Sequence, residues 1–152
     1  MAERRCQLAC EQQGAFEENE DVIERLLMDV KLLSIDIYLL LLDRGFFSSS
    51  VINSLNKLHQ TFLMPAVKNR GIRKAIMEHI EGRRKCISEY RMHSSSDSAE
   101  ASFTIVILPK KGSEKEEETD PATDRYIVFA TNIPEGRILW NINRIPEDYR
   151  KS

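Results

Sequence analysis

Ile37-Tyr38-Leu39-Leu40-Leu41-Leu42-Asp43-Arg44-Gly45-Phe46-Phe47 is the stretch on which the fold turns. An unbroken apolar run leads into a carboxylate, and a base, a glycine and two aromatics follow. So short a run without polar alternation is the pattern of a strand buried on both faces. Asp43 then falls where the strand leaves the sheet. In open α/β sheets that carboxyl end is where ligands and metals bind. A charge at the exit of a buried strand needs a partner. Spacing alone leaves two readings open: Asp43 caps the following turn or pairs with Arg44, or it is a metal-binding carboxylate.

Upstream, Val22, Ile23, Leu26, Leu27, Val30 and Leu33 mark one face of an amphipathic helix over residues 20–33. Asn19 is a candidate N-cap, and Glu20, Asp21 and Glu24 suit the positive end of the helix dipole. Residues 34–36 form the turn into the strand, and residues 1–19, polar and aperiodic, read as a frayed or partly helical lead-in. Downstream, Gly45 suits a sharp turn. Ser48, Ser49 and Ser50 offer N-caps for a second helix marked by Val51, Ile52, Leu55 and Leu58. Thr61-Phe62-Leu63-Met64-Pro65 is a second short strand stopped by its proline. Arg70-Gly71 opens a third helix with Ile72, Ala75, Ile76, His79 and Ile80 at helical spacing. Crossovers this short predict that the two strands are parallel neighbours with a right-handed connection.

The pattern changes at Gly82. Cys86, Ser88, Tyr90 and Met92 alternate weakly, residues 94–98 are Ser-rich loop, and residues 101–108 form a clear strand ended by Pro109. Residues 110–124 are a charged run expected to be an exposed, mobile loop. Residues 125–133 are another strand. Pro134 and Gly136 break the chain again, and Pro146 with Glu147 and Asp148 starts a helix. The expected organisation is an ill-defined lead-in (1–19), an α/β core of helix, strand, helix, strand and helix (20–82), an antiparallel β insertion (83–133) and the start of a final helix (134–152).

The chain has 152 residues, enough for one domain with a real core. Its net charge of −2 is uninformative, but the charge is unevenly spread. Residues 1–43 hold four Lys/Arg against ten Asp/Glu, residues 44–93 ten against three, and residues 94–152 eight against eleven. The basic middle begins directly after Asp43. A positive surface beside a carboxylate is what a phosphodiester substrate needs, and a solvated basic face is the plainer reading. The N-terminal Met1-Ala2-Glu3-Arg4-Arg5 leads into polar residues, so no signal peptide is expected. No apolar run approaches the ~18 residues of a membrane span. The three cysteines, Cys6, Cys10 and Cys86, form no zinc-finger spacing, and an odd number points to a reducing, cytoplasmic compartment.

A single acid at a strand end fits two-metal phosphoryl chemistry only if other carboxylates converge on it. Asp36 is expected at the far end of the same strand, roughly 20 Å away by rise per residue. Glu24 and Asp29 are expected to face solvent, and the acids at 114–120 fall in the charged loop. No second carboxylate has a good claim.

Leu40-Leu41-Leu42-Asp43-Arg44-Gly45-Phe46-Phe47-Ser48, then Val51-Ile52-Asn53-Ser54-Leu55, then Phe62-Leu63-Met64-Pro65-Ala66-Val67-Lys68, resemble the catalytic domain of archaeal and bacterial insertion-sequence transposases of the DDE type. Tyr126-Ile127-Val128-Phe129-Ala130-Thr131-Asn132-Ile133 and Ile145-Pro146-Glu147-Asp148-Tyr149-Arg150-Lys151 resemble its later part, so the likeness spans about residues 20–151. It implies a partial ribonuclease-H-like fold. It implies that Asp43 is the second of three acids that hold Mg²⁺ or Mn²⁺ for cleavage and strand transfer of double-stranded DNA. Tyr149 matches a motif tyrosine of the final helix, but the motif arginine falls on Ser152 and the glutamate beyond it. The first aspartate belongs three strands before the helix at 20–33. The resemblance therefore implies a transposase truncated at both ends, with poor metal binding and no activity alone. Whether such a chain keeps any enzymatic function stays open. Lys68, Arg70, Arg73 and Lys74 are candidate contacts to DNA phosphates. A DNA-binding regulatory fragment that mixes with full-length transposase, or another metal-dependent nuclease, are the alternatives. Without the earlier strands, Leu39–Leu42 is expected at or near an exposed sheet edge, where self-association is a hazard.

Overall fold

The computed structural model describes residues 5–8, 19–93, 100–110 and 122–143. In chain order these form strand β1 (Arg5–Leu8), helix α1 (Asn19–Leu32), β2 (Leu39–Leu42), a tight 3-10 turn (Arg44–Phe46), α2 (Ser49–Lys57), β3 (Phe62–Pro65), α3 (Arg70–Ile80), β4 (Ile87–His93), β5 (Glu100–Pro109), a second 3-10 turn (Ala122–Arg125), β6 (Tyr126–Thr131) and α4 (Glu135–Asn143). The fold is a mixed α/β one. Among the described residues no helix is long and apolar enough to cross a membrane.

All six strands join one sheet in the order β1-β2-β3-β6-β5-β4. β1, β2 and β3 are parallel, with Arg5 opposite Leu39 and Leu40 opposite Phe62. β6 runs antiparallel to both β3 and β5, and β4 antiparallel to β5. The expected parallel pair and the expected antiparallel strands are both present. They are not separate units, because β6 pairs directly with β3.

The four leucines of β2 are all buried, and the sheet's two faces explain why. Leu40 and Leu42 join one apolar cluster with Ile23 of α1, Val51, Ile52 and Leu55 of α2, and Ile72, Ala75 and Ile76 of α3. Leu39 and Leu41 join the opposite cluster with Leu63, Val106 and Phe129 of the sheet and Ile138 and Ile142 of α4. A strand covered on both sides has no solvent face on which to place a polar residue. Each such leucine contributes about 1.5–3 kcal/mol of transfer free energy.

Several features differ from the sequence expectation. The lead-in contains β1, which lies against β2, so Leu39–Leu42 is not the sheet edge. The sequence Arg5-Cys6-Gln7-Leu8 lacks an apolar alternation that would announce a strand. Pro134 and Gly136 do not break the chain before a late helix, because α4 already begins at Glu135. Pro134 stands just outside the helix, and its carbonyl accepts the Arg137 N–H at 2.8 Å. Gly45 lies in a 3-10 turn and is not among the residues with positive φ. Glu24 does not simply face solvent: it is half-buried and accepts the Ser54 hydroxyl at 3.0 Å, which ties α1 to α2. The expected loop at 94–98, most of the charged run at 110–124 and the helix start at Pro146 lie outside the described residues.

Local chemistry sets the helix boundaries. The Ser48 side chain accepts the Val51 N–H at 3.2 Å, and the Asn69 side chain accepts the Ile72 N–H at 3.0 Å, each satisfying an orphan donor of a first turn. α3 ends before Gly82, whose φ of 76° is the left-handed conformation common after a helix C-terminus. Gly71 is required for a different reason. A Cβ there would fall far inside van der Waals contact with the Tyr90 hydroxyl oxygen, with the ring carbon Cζ at 3.5 Å. Tyr90 reaches this position from β4, its ring against Phe103 with 5.5 Å between centroids.

Asn132 locks β6 to β3. Its Oδ1 accepts the Phe62 N–H at 2.9 Å, and its Nδ2 donates to the Gln60 carbonyl at 2.9 Å and to Asn56 Oδ1 at 3.2 Å. The fully buried Thr131 donates its hydroxyl to the Phe62 carbonyl at 2.6 Å and accepts the Ile133 N–H at 3.0 Å. Buried polar groups satisfied in this way specify register without a desolvation penalty.

Candidate functional site

Asp43 is the residue that ends β2. Leu40 pairs with Phe62 and Leu41 with Leu63, so Asp43 comes level with Pro65 on the neighbouring strand. Its side chain is exposed and makes no capping hydrogen bond, so the cap reading does not hold for the side chain. The turn is closed by backbone alone, with the Phe46 N–H on the Asp43 carbonyl at 3.0 Å. The carboxylate is held at the carboxyl edge of the parallel strands and is spent on nothing local to the turn.

The topology brings further charges to that edge. β5 runs in the same direction as β3, since both are antiparallel to β6. The residues after β2 (Asp43, Arg44), after β3 (Lys68) and after β5 (Lys110), and those before β6 (Asp124, Arg125), therefore emerge on one side. Lys110 is fixed there by its N–H on the Arg125 carbonyl at 2.8 Å. Arg73 reaches in from α3. Its Nε donates to the Lys68 carbonyl at 3.0 Å, its Nη1 donates to the buried Thr123 hydroxyl at 3.1 Å, and the same atom lies 3.7 Å from Asp124.

Lys68 is the centre of this group. It is half-buried, and its amine is held below the usual lysine range. Partial burial is the largest cause; the like charges of Lys110, Arg73 and Arg44 add to it, and Asp124 opposes them. Arg70 and Lys74 are exposed on α3 and are not among the charges acting on Lys68. Of the four basic candidates from sequence, Lys68 and Arg73 are joined through the Arg73 Nε–Lys68 carbonyl hydrogen bond, and Arg70 and Lys74 are exposed on α3. Tyr149 lies outside the described residues.

Three other arginines of the basic middle are paired with acids. Arg83 pairs with Glu81. Arg84 meets Glu78 at 3.0 Å and donates to Ser88 Oγ and the Glu89 carbonyl, joining the end of α3 to β4. Arg91 lies 3.7 Å from Glu100. Of these partners only Glu100 comes from outside the basic stretch. Lys110 and Asp124 were not singled out from sequence because they belong to a run that reads as loop; only the pairing of β5 with β6 brings them to the edge.

Among the described residues no three His, Cys, Asp or Glu side chains gather closely enough to hold an ion. Asp36 sits outside β2, in the segment before it, and Asp29 is exposed on α1. One exposed carboxylate with a basic neighbour in sequence is a weak ligand for a hard cation that takes about six oxygens. What the edge can do is attract and orient anions. Against protein-family models, curated proteins and solved structures alike, the chain finds no match.

Proposed function

We propose that the chain is part of a DDE-type transposase catalytic domain, that its ligand is double-stranded DNA, and that DNA lies along the carboxyl edge of β2, β3 and β5. The observation that supports this reading is the position of Asp43, an exposed acid at the carboxyl end of a buried parallel strand, on the edge where Arg44, Lys68, Arg73 and Lys110 collect. Cations facing one way along a sheet edge neutralise a phosphate backbone, and the acid among them lies where a reacting phosphodiester would come. In the complete site, Mg²⁺ or Mn²⁺ would supply Lewis-acid activation of the phosphodiester. Asp43 would contribute one carboxylate of three, and the reading takes this chain alone to bind DNA without cutting it.

The test is duplex binding followed by fluorescence anisotropy across a salt series, with a nicking assay in Mg²⁺ and Mn²⁺. Binding should weaken with salt, and Lys68→Met and Arg73→Met should each reduce the slope of log affinity against log salt by about 1. Asp43→Asn should leave affinity equal or higher, since it removes a negative charge from the surface. Absence of salt-sensitive duplex binding overturns the DNA reading. Metal-dependent nicking that disappears in Asp43→Asn overturns the statement that the chain does not cut.

A further inference from the structure

We propose that β4, the strand at one edge of the sheet, is the docking edge for a second copy of the chain, whose own β4 adds to it antiparallel about a two-fold axis at Tyr90. The proposal concerns self-association and does not rest on the DNA reading.

β4 stands at the end of the strand order, and among the described residues no strand lies on its far side. The ladder with β5 fixes which backbone groups are left over. The Ile107 N–H donates to the Cys86 carbonyl at 2.8 Å, and in an antiparallel pair the bonded residues recur at every second position. Ser88, Tyr90 and Met92 therefore turn their N–H and C=O groups to β5, and Ile87, Glu89, Arg91 and His93 turn theirs outward. Arg84 agrees with this parity, since its Nη1 reaches the outward Glu89 carbonyl at 3.1 Å. That carbonyl keeps a second lone pair for a ladder bond.

An outward row of backbone donors and acceptors is a template for another strand, and the side chains on the row select which one. Glu89 and Arg91 are both exposed and, being two apart, lie on one face of the strand. A second β4 laid antiparallel with Tyr90 opposite Tyr90 sets each Glu89 opposite the partner's Arg91, and each Ile87 opposite the partner's His93. All of these are outward-facing residues, so the register that matches the charges also closes hydrogen bonds. A slip of one residue breaks the bonding parity. A slip of two keeps the parity but sets Glu89 opposite Glu89 or Arg91 opposite Arg91, and like charges directly opposite are destabilising. Within the chain Arg91 is held loosely: its Nε lies 3.7 Å from Glu100, with the arginine side chain 71% exposed, a surface pair that water screens.

The test is sedimentation equilibrium of the full chain over a concentration series, with amide exchange as the residue-level readout. The parent should show a monomer–dimer equilibrium. Glu89→Arg and Arg91→Glu each replace two attractive cross-strand pairs with two repulsive ones, and each should weaken the dimer about tenfold or more. An equimolar mixture of the two variants should recover association as a heterodimer, because every arginine of one copy then faces a glutamate of the other. That recovery excludes unfolding as the cause of the loss. Raising the concentration should slow exchange at the Glu89 and Arg91 amides and leave Tyr90 and Met92, already bonded to β5, unchanged. A chain that stays monomeric at its highest soluble concentration overturns the proposal. So does a dimer that Arg91→Glu leaves intact, or a mixture of the two variants that recovers nothing. Concentration-dependent protection that spares Glu89 and Arg91 moves the interface off this edge and overturns it as well. Dimerisation without salt-sensitive duplex binding keeps this proposal and sinks the DNA reading, and duplex binding by a strict monomer does the reverse.

Discussion

Gly71→Ala should destabilise the protein, although glycine to alanine inside a helix ordinarily does the reverse. Gly71 is the second residue of α3, where alanine's higher helix propensity is worth up to ~1 kcal/mol. The new methyl would strike the Tyr90 hydroxyl oxygen, and Tyr90 has little room to retreat, because its ring rests against Phe103. Phe103 in turn meets Phe47 edge-on at 5.9 Å. Overpacking of this kind costs about 1–3 kcal/mol, so the net loss should be ~1–2 kcal/mol after the propensity gain is offset. The decisive measurement repeats Gly71→Ala in a Tyr90→Phe background, by urea denaturation with common m-values. Removal of the hydroxyl leaves Cζ at 3.5 Å and the Asn69 side-chain oxygen at 3.5 Å, which are ordinary contacts. The same substitution should then stabilise by about 0.5–1 kcal/mol, a coupling of roughly 1.5–3 kcal/mol across the cycle. An equal loss in both backgrounds would refute the reasoning and move the cause to the helix start itself. Stabilisation in the parent background would show that Tyr90 moves aside freely.

The remaining predictions concern other parts of the fold. Asn132→Ala should cost ~1–3 kcal/mol in chemical denaturation, because the Phe62 N–H loses its acceptor and the Gln60 carbonyl its donor in a part-buried place. Ile138→Ala should cost about 2–4 kcal/mol and raise amide exchange across the face formed by Leu39, Leu63 and Phe129, which α4 covers. Lys68→Met should raise stability slightly at pH 7, by about 0.5 kcal/mol given solvent screening of a half-exposed group. The folded-state pKa of Lys68 is lowered, so the parent binds fewer protons folded than unfolded between that value and 10.5 and gains stability as pH rises through this window. The advantage of Lys68→Met should therefore fade above neutrality and vanish near pH 10.5, and an advantage that grows with pH would contradict the assignment. Burial raises the Tyr90 hydroxyl pKa above 10.0, so the parent should lose stability above that pH while Tyr90→Phe should not.

What could be read before folding was local. The period of Val51, Ile52 and Leu55, and of Ile72, Ala75 and Ile76, is the period of the buried faces of α2 and α3. The unbroken leucines of β2 announced a sheet covered on both sides. β1 escaped because it is short, lies at the sheet edge and has arginine and glutamine among its four residues. α4 escaped because proline and glycine read as breakers, whereas Pro134 precedes the helix and Gly136 occupies its first turn, where neither interrupts a bond; Ile138 and Ile142, one turn apart, were the signal. The site divides in the same way. Asp43 was legible as the end of an apolar run. The company of Lys68 was not, because Lys110 and Asp124 reach it only through strand pairing that no local pattern encodes. Charge counting likewise could not show that Arg91 meets Glu100, which only the pairing of β4 with β5 brings near it.

The insertion of β6 between β3 and β5 has a consequence for how the molecule assembles. β3 and β5 have no ladder to each other, and β6, the strand that joins them, follows both in the chain. Until it emerges, the parallel half and the antiparallel half each present a raw edge, with the backbone of Leu63 and Pro65 on one side and of Ile105 and Ile107 on the other. The Asn132 clamp then closes contacts between residues 70 apart in the chain. Such closure is late and entropically costly. β6 acts as a keystone: both halves should lose protection together when it is removed, and the nascent chain is at its most vulnerable to mispairing in the interval just before that strand is made.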